Sequence, residues 1–296
     1  MHLFFLFFFL FINSAELPDF ESKEEGLVYS IAGGRLWRRL KDLESADLAS
    51  DSSVQQNSDF VFEMVKGYVL ETEAKFRFNK YFTPLVAYVY GNASHGRGYF
   101  NIYNTKDCKF LEEVEFYYLK PKIIEEFITI ANESEIFKTD LRGHEIIGDL
   151  FLGYFLERDI IRAEWSNDAS NSKLKWYGFR VGIKLNVGIS ERLKLAIFNF
   201  FRAGRLKSIS SRDSLLGLAP GRQSINYYSD LVSLVADYEI SDHCNLGLFL
   251  ELDNAFQAGK TKIILDAKDR ELLINPRIRK LREFIYSLSL GLGFSF

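Results

Sequence analysis

The side chains able to do chemistry are few, and their spacing forms no recognised catalytic set. His144 opens His144-Glu145-Ile146-Ile147-Gly148, one residue short of the H-E-x-x-H zinc motif, because Gly148 stands where the second imidazole is required. His95 sits in the run G-N-A-S-H-G-R-G from Gly91 to Gly98, and a hydrolase built from carboxylates and a histidine would have to draw on His95 with Glu157 or Asp159. A histidine in such a glycine-rich loop is more often solvated than catalytic. His243 lies beside a short turn. Cys108 and Cys244 form no C-x-x-C, which argues against a zinc or redox site, and their wide separation predicts free thiols. There is no phosphate-binding glycine loop and no nucleic-acid module. These readings predict a chain without metal, cofactor or nucleic acid that is not an enzyme.

The remaining chemistry lies in charges that alternate with apolar residues. Glu71, Glu73, Lys75 and Arg77 oppose Tyr68, Leu70, Thr72, Ala74, Phe76 and Phe78. Arg180 and Lys184 oppose Phe179, Val181, Ile183 and Leu185, while Glu251 and Asp253 oppose Leu246, Leu248, Leu250 and Leu252. A two-residue period is the signature of a strand with one face unlike the other. The strongest case is the C-terminal run, in which Phe284, Tyr286, Leu288, Leu290, Leu292, Phe294 and Phe296 alternate with Ile285, Ser287, Ser289, Gly291, Gly293 and Ser295.

The elements positioning these charges are therefore strands. Residues 1–15 read as a signal peptide, with an apolar run from Leu3 to Ile12 and a small-residue site at Ala15. That run is too short to span a bilayer, which takes roughly 20 apolar residues as a helix. Residues 16–58 read as a separate N-terminal segment: Leu27, Tyr29 and Ile31 suggest a first strand, and Leu36, Leu40 and Leu43 recur at helical spacing, as in a plug or loop helix. Residues 59–296 read as the barrel. Within them 92–97 reads as a loop, and 121–131 is ambiguous. There Ile123, Ile124, Phe127 and Ile128 fit a helical stripe behind Pro121, whereas a strand would turn Glu125 or Glu126 outward. Short turns at 188–191 and 239–242 alternate with long polar loops at 203–225 and 255–281.

Alternation alone does not say which face is inside. The polar faces carry glycine, serine and paired opposite charges, and the apolar faces are almost uncharged, as expected where an outward Arg or Lys would cost about 2–4 kcal/mol at a bilayer midplane. Aromatic residues at strand ends, including Tyr68, Phe78, Tyr177 and Tyr238, fit interfacial girdles.

The signal peptide, the alternating turn lengths and the terminal I-Y-S-L-S-L-G-L-G-F-S-F resemble bacterial outer-membrane β-barrel proteins over roughly Gly67 to Phe296. The resemblance implies an antiparallel up-and-down barrel with short periplasmic turns and long extracellular loops. It has about twelve strands, or ten if the weak middle contributes none. It further implies export to the outer membrane, contact with the bilayer and its lipids, and a terminal strand read by the barrel-assembly machinery through Tyr286, Phe294 and Phe296.

Two roles follow as expectations. The lumenal charges Glu71, Glu73, Lys75, Arg77, Arg180, Lys184, Glu251 and Asp253 suit a narrow, porin-like diffusion channel for small polar solutes. The basic loop residues Arg205, Lys207, Arg212, Lys260, Lys262, Arg277, Arg279 and Lys280 suit a surface that binds acidic polysaccharide or lipid phosphates. A rim hydrolase on the histidine set above is the third.

Overall fold

The computed structural model describes residues 26–48, 51–106, 109–165, 168–212, 223–261 and 277–296. The expected signal peptide and Cys108 lie outside them. Ten strands follow one another: β1 Gly26–Leu48, β2 Asp51–Arg77, β3 Thr83–Lys106, β4 Lys109–Leu141, β5 His144–Trp165, β6 Asp168–Gly188, β7 Leu193–Arg212, β8 Gln223–Ser241, β9 Cys244–Thr261 and β10 Arg277–Ser295. Each pairs antiparallel with its chain neighbours, and β1 pairs with β10 from Val28↔Ser295 to Ser45↔Ile278, closing the barrel. Closure leaves no unpaired sheet edge, a requirement for a β structure in lipid. At the seam the Leu27 amide donates to the Phe296 carbonyl at 3.2 Å, and the Phe296 amide returns a bond to Leu27 at 2.9 Å. Gly34 lets the strands approach there, since a Cβ would collide with the Leu288 carbonyl and with Ser289.

The apolar face points outward. Phe179 is 73 % exposed, Leu290 57 % and Leu152 54 %, whereas Ser287 and Ser289 on the opposite face of β10 are buried. A soluble barrel of this sequence would hide those side chains, so the arrangement belongs in hydrocarbon. About 9–11 tilted residues cross a bilayer. The 33 residues of β4 are far more than crossing needs. The apolar outer band lies toward the end holding the turns 78–82, 142–143, 189–192 and 242–243. Beyond the band, Arg35, Arg39, Lys66, Arg162, Lys173 and Lys175 are exposed, so the barrel wall continues past the membrane.

Several local expectations are corrected. Within the segment 16–58, the described residues 26–48 and 51–58 are wall: the first strand is present, β1 covers the expected helix, and β2 already begins at Asp51. Leu36 and Leu40 are four residues apart, an even spacing that a strand satisfies as well as a helix, and both are buried inside. Residues 121–131 are likewise strand. Ile123 and Phe127 are buried inside while Ile128 is exposed, so both faces are apolar and mimic a helical stripe. Glu125 turns inward to Arg38, and Glu126 turns outward, where Arg158 Nη1 donates to it at 3.0 Å.

Among the described residues the strand count is ten, the lower of the two expected numbers, although the middle of the chain does contribute strand. The expected loop at 92–97 is an irregularity within β3, with register shifts on both sides and Met64 of β2 at φ 44°. Residues 121–131 and the residues before them from Lys109 are one strand, β4. The flanks of the loops expected at 203–225 and 255–281 are paired strand, while 213–222 and 262–276 lie outside the described residues.

Inside, two apolar clusters differ in position. A small one (Leu85, Ala131, Phe151, Phe200, Leu231) lies toward the short-turn end. A larger one, containing Leu40, Phe62, Phe100, Leu119, Ile123, Phe155, Ile161, Leu174, Trp176 and Tyr227, fills the bore beyond it.

Candidate functional site

The site is the polar interior between those clusters and the short-turn mouth. Its inner limit is a pair of buried arginines. Arg38 on β1 alternates with Leu36 and Leu40 and therefore points inward. It pairs through Nε with Glu283 of β10, through Nη1 with Glu125 of β4 at 2.9 Å, and through Nη2 with Asp159 of β5 at 3.0 Å. Because β1 and β5 stand four places apart in a ring of ten, these bonds cross the bore. Arg202 on β7 donates to Ser229 Oγ of β8 at 2.8 Å, pairs with Asp253 of β9 and lies 3.5 Å from Glu157 of β5. Ser229 in turn donates to Asp253 at 2.8 Å. The Arg202 guanidinium also faces the rings of Phe127, Tyr227 and Phe155 at 5.1–5.9 Å.

Nearer the mouth, Glu133 of β4 accepts from Lys75 of β2 at 2.8 Å and from Lys184 of β6 at 2.9 Å. Lys75 also meets Glu73 at 3.1 Å. Asn186 donates to Asp149 at 2.7 Å.

Two connected spaces remain. A vestibule of about 520 Å³ is lined by Arg77, Glu145, Asp149, Lys194 and Asp242 among others. Further in, a chamber of about 190 Å³ is lined by Glu71, Arg180, Arg202, Glu251, Asp253 and Ser287 with Phe127, Phe151 and Phe200. Ser30, Glu73, Lys75, Glu133, Phe198 and Val235 line both, so one leads into the other.

Arg180 differs from its neighbours. Its guanidinium lies 3.9 Å from the Phe200 ring centroid, 5.2 Å from Phe151 and 5.8 Å from Phe127, yet among the described residues no carboxylate comes within ion-pair distance. Its Nε has no hydrogen-bond partner. Glu71 Oε1 is likewise without one, and Glu251 accepts from Ser287 at 3.3 Å. Around the arginines, seven carboxylates (Glu71, Glu125, Glu157, Asp159, Glu251, Asp253, Glu283) face three guanidiniums (Arg38, Arg180, Arg202). The surroundings of the chamber are therefore acidic in balance, and among the described residues Arg180 has no ion pair there.

The eight charges expected in the lumen are all placed there, in one or both spaces. The expectations missed Arg38, Arg202, Glu125, Glu133 and Glu283. Inward parity on β7, shared with Phe198 and Phe200, was the available signal for Arg202. Among the described residues the hydrolase set is not brought together: Asp159 is bound by Arg38, Glu157 lies beside Arg202, and the ring of exposed His95 lies 3.3 Å from Ser94 Oγ on β3. Of the expected loop residues, Arg205 is exposed on β7. Lys207, Arg212, Lys260, Arg277, Arg279 and Lys280 belong to the paired ends of β7, β9 and β10 rather than to loops, and Lys262 lies outside the described residues. Tyr286 and Phe296 are exposed on the outer face at opposite ends of the β10 apolar stripe. Cys244 is a free thiol at the short-turn end.

No protein-family model matches the chain, and no curated protein matches its sequence. Among solved structures, the outer membrane protease OmpT from Escherichia coli superposes with a TM-score of 0.64 at 10 % identity, covering 94 % of this chain and 99 % of that one. The transport unit of the Escherichia coli autotransporter AIDA-I covers 99 % of this chain and 97 % of its own at 13 % identity. Its TM-score of 0.30 is too low to argue from. The OmpT likeness concerns the fold and says nothing about activity. Closure, the outward apolar band and this superposition together identify the architecture as that of a bacterial outer-membrane β-barrel protein.

Proposed function

We propose that this outer-membrane barrel holds a solute-binding chamber that opens at the short-turn, periplasmic end and is stopped toward the cell surface, and that it acts without catalysis. The observation carrying this reading is the succession along the bore: vestibule, charged chamber, two cross-bore arginine nodes, then an apolar core containing Trp176 and Phe62. Charged walls around an enclosed space suit small charged solutes better than apolar ones.

The test uses full-length protein refolded in detergent and in planar bilayers, with Cys108 and Cys244 changed to Ser. Val235→Cys, which lines both spaces, should react with a small water-soluble thiol reagent, while Ala163→Cys in the apolar core should not. Bilayers should stay silent. Failure of Val235→Cys to react would overturn the chamber. Discrete conductance steps would instead support the porin-like diffusion channel, favoured by the same lumenal charges, in which the arginine nodes part.

A second reading, surface binding of acidic polysaccharide, draws on exposed Arg205 and on the basic residues Lys260, Arg277, Arg279 and Lys280 in the end parts of β9 and β10. Salt-sensitive retention on heparin that disappears when Arg277, Arg279 and Lys280 become Ser would favour it.

A further inference from the structure

We propose that Arg180, Glu71 and Glu251 form a binding site for a small zwitterion, its carboxylate on Arg180 and its ammonium group at Glu71 and Glu251. This inference rests on the chamber reading above and names the class of solute taken up.

The three residues reach the chamber from different parts of the wall, on β6, β2 and β9. Arg38 and Arg202 have carboxylate partners; Arg180 has three aromatic rings and, among the described residues, no carboxylate within ion-pair distance. The rings surround the guanidinium but offer its N–H groups no oxygen, and Nε has no acceptor among the described residues. Opposite in sign, Glu71 has an oxygen with no donor, and Glu251 has one hydroxyl donor from Ser287. Arg180 and these carboxylates do not satisfy one another, because no pair among them comes within ion-pair distance. All three side chains are half-buried, so their charges are partly desolvated and a ligand that completes the pairs gains more than it would in open water.

Charge balance selects the class. A simple anion would suit Arg180 but meet the surrounding excess of carboxylates. A diamine would suit the carboxylates and be repelled by Arg180. A molecule with one charge of each sign suits both. Size agrees: a chamber of about 190 Å³ suits a small solute rather than a polymer. Phe151 and Phe200 offer apolar contact to its carbon chain.

The experiment is calorimetric titration of the refolded full-length barrel with glycine, 4-aminobutyrate and 6-aminohexanoate, which vary the charge spacing, and with acetate and butylamine as half-ligands. At least one zwitterion is expected to bind saturably, with each half-ligand at least about tenfold weaker, the loss of one charged hydrogen-bonded contact being about 1.5–3 kcal/mol. Arg180→Gln, which removes the guanidinium and its charge but keeps a polar amide, should abolish binding, and Glu251→Gln should weaken it about tenfold or more. Heat-shifted electrophoretic mobility verifies that each variant is folded, and Glu71→Gln replaces any variant that is not. Binding unchanged in folded Arg180→Gln, or butylamine binding as tightly as the zwitterions, overturns the site. So does absence of zwitterion binding while Val235→Cys remains reactive, an outcome that leaves the chamber itself standing; an unreactive Val235→Cys removes both.

Discussion

The two halves of the bore are made by the same ten strands and solve the problem of filling a barrel differently. Toward the short turns, inward positions are small or charged: Ser30, Glu73, Lys75 and Lys184 surround open space, and their ion pairs stay partly hydrated. Beyond the chamber, inward positions are large and apolar, and the charges that enter are desolvated and bound across the bore. A ten-strand barrel is slightly wider than the eight-strand barrels whose interiors side chains just fill. Filling it over its whole length therefore requires either bulky residues or bridges. This chain uses both in one half and leaves the other half hollow.

Breaking the cross-bore bridge should have the largest effect. Arg38→Met removes one guanidinium from three carboxylates of β4, β5 and β10, leaving buried like charges. The expected loss is about 3–5 kcal/mol, read from the shift of the urea midpoint of the refolded barrel. Changing Glu125, Asp159 and Glu283 to Leu in the Arg38→Met background should recover most of that loss, because a matched apolar layer carries no uncompensated charge. No recovery would mean that the bridge contributes by geometry rather than by charge balance.

Next comes a direct comparison of the halves. Trp176→Ala in the filled half should cost about 3 kcal/mol or more, since the buried ring leaves a cavity that the walls cannot close. Phe198→Ala, at the edge of the hollow half, should cost less than half as much, because water already reaches the space. Equal urea shifts for the two would show that the halves do not differ in packing. The smallest effect is expected outside the bore, where Glu126→Gln breaks the outer-face pair with Arg158. Both partners are over 30 % exposed, so the expected loss is about 0.2–1 kcal/mol and should shrink further at high salt.

The same contrast explains what was legible in the sequence. In the hollow half the inner and outer faces differ sharply, so Glu71, Glu73, Lys75 and Arg77 against Leu70 and Phe76 reveal both the strand and its orientation. The terminal strand is readable for the same reason. In the filled half the inner face is apolar too, and the two-residue contrast disappears: Ile123 and Phe127 inside with Ile124 and Ile128 outside look like one stripe of a helix. Leu36 and Leu40 misled similarly, and the arginine between them was not recognised because its partners lie far off in the chain, Glu283 being 245 residues away.

By itself, then, the order of residue types determined that most of this chain is strand, which side of the readable strands is greasy, and that charge gathers on the opposite side. Those properties depend on neighbours two residues apart. Only the tertiary structure decided that ten strands close the ring, that Arg38 and Arg202 tie strands together across and along it, and that Arg180 is left without a carboxylate. Each of these depends on which strands face one another around the bore, and that follows from closure and register rather than from local pattern.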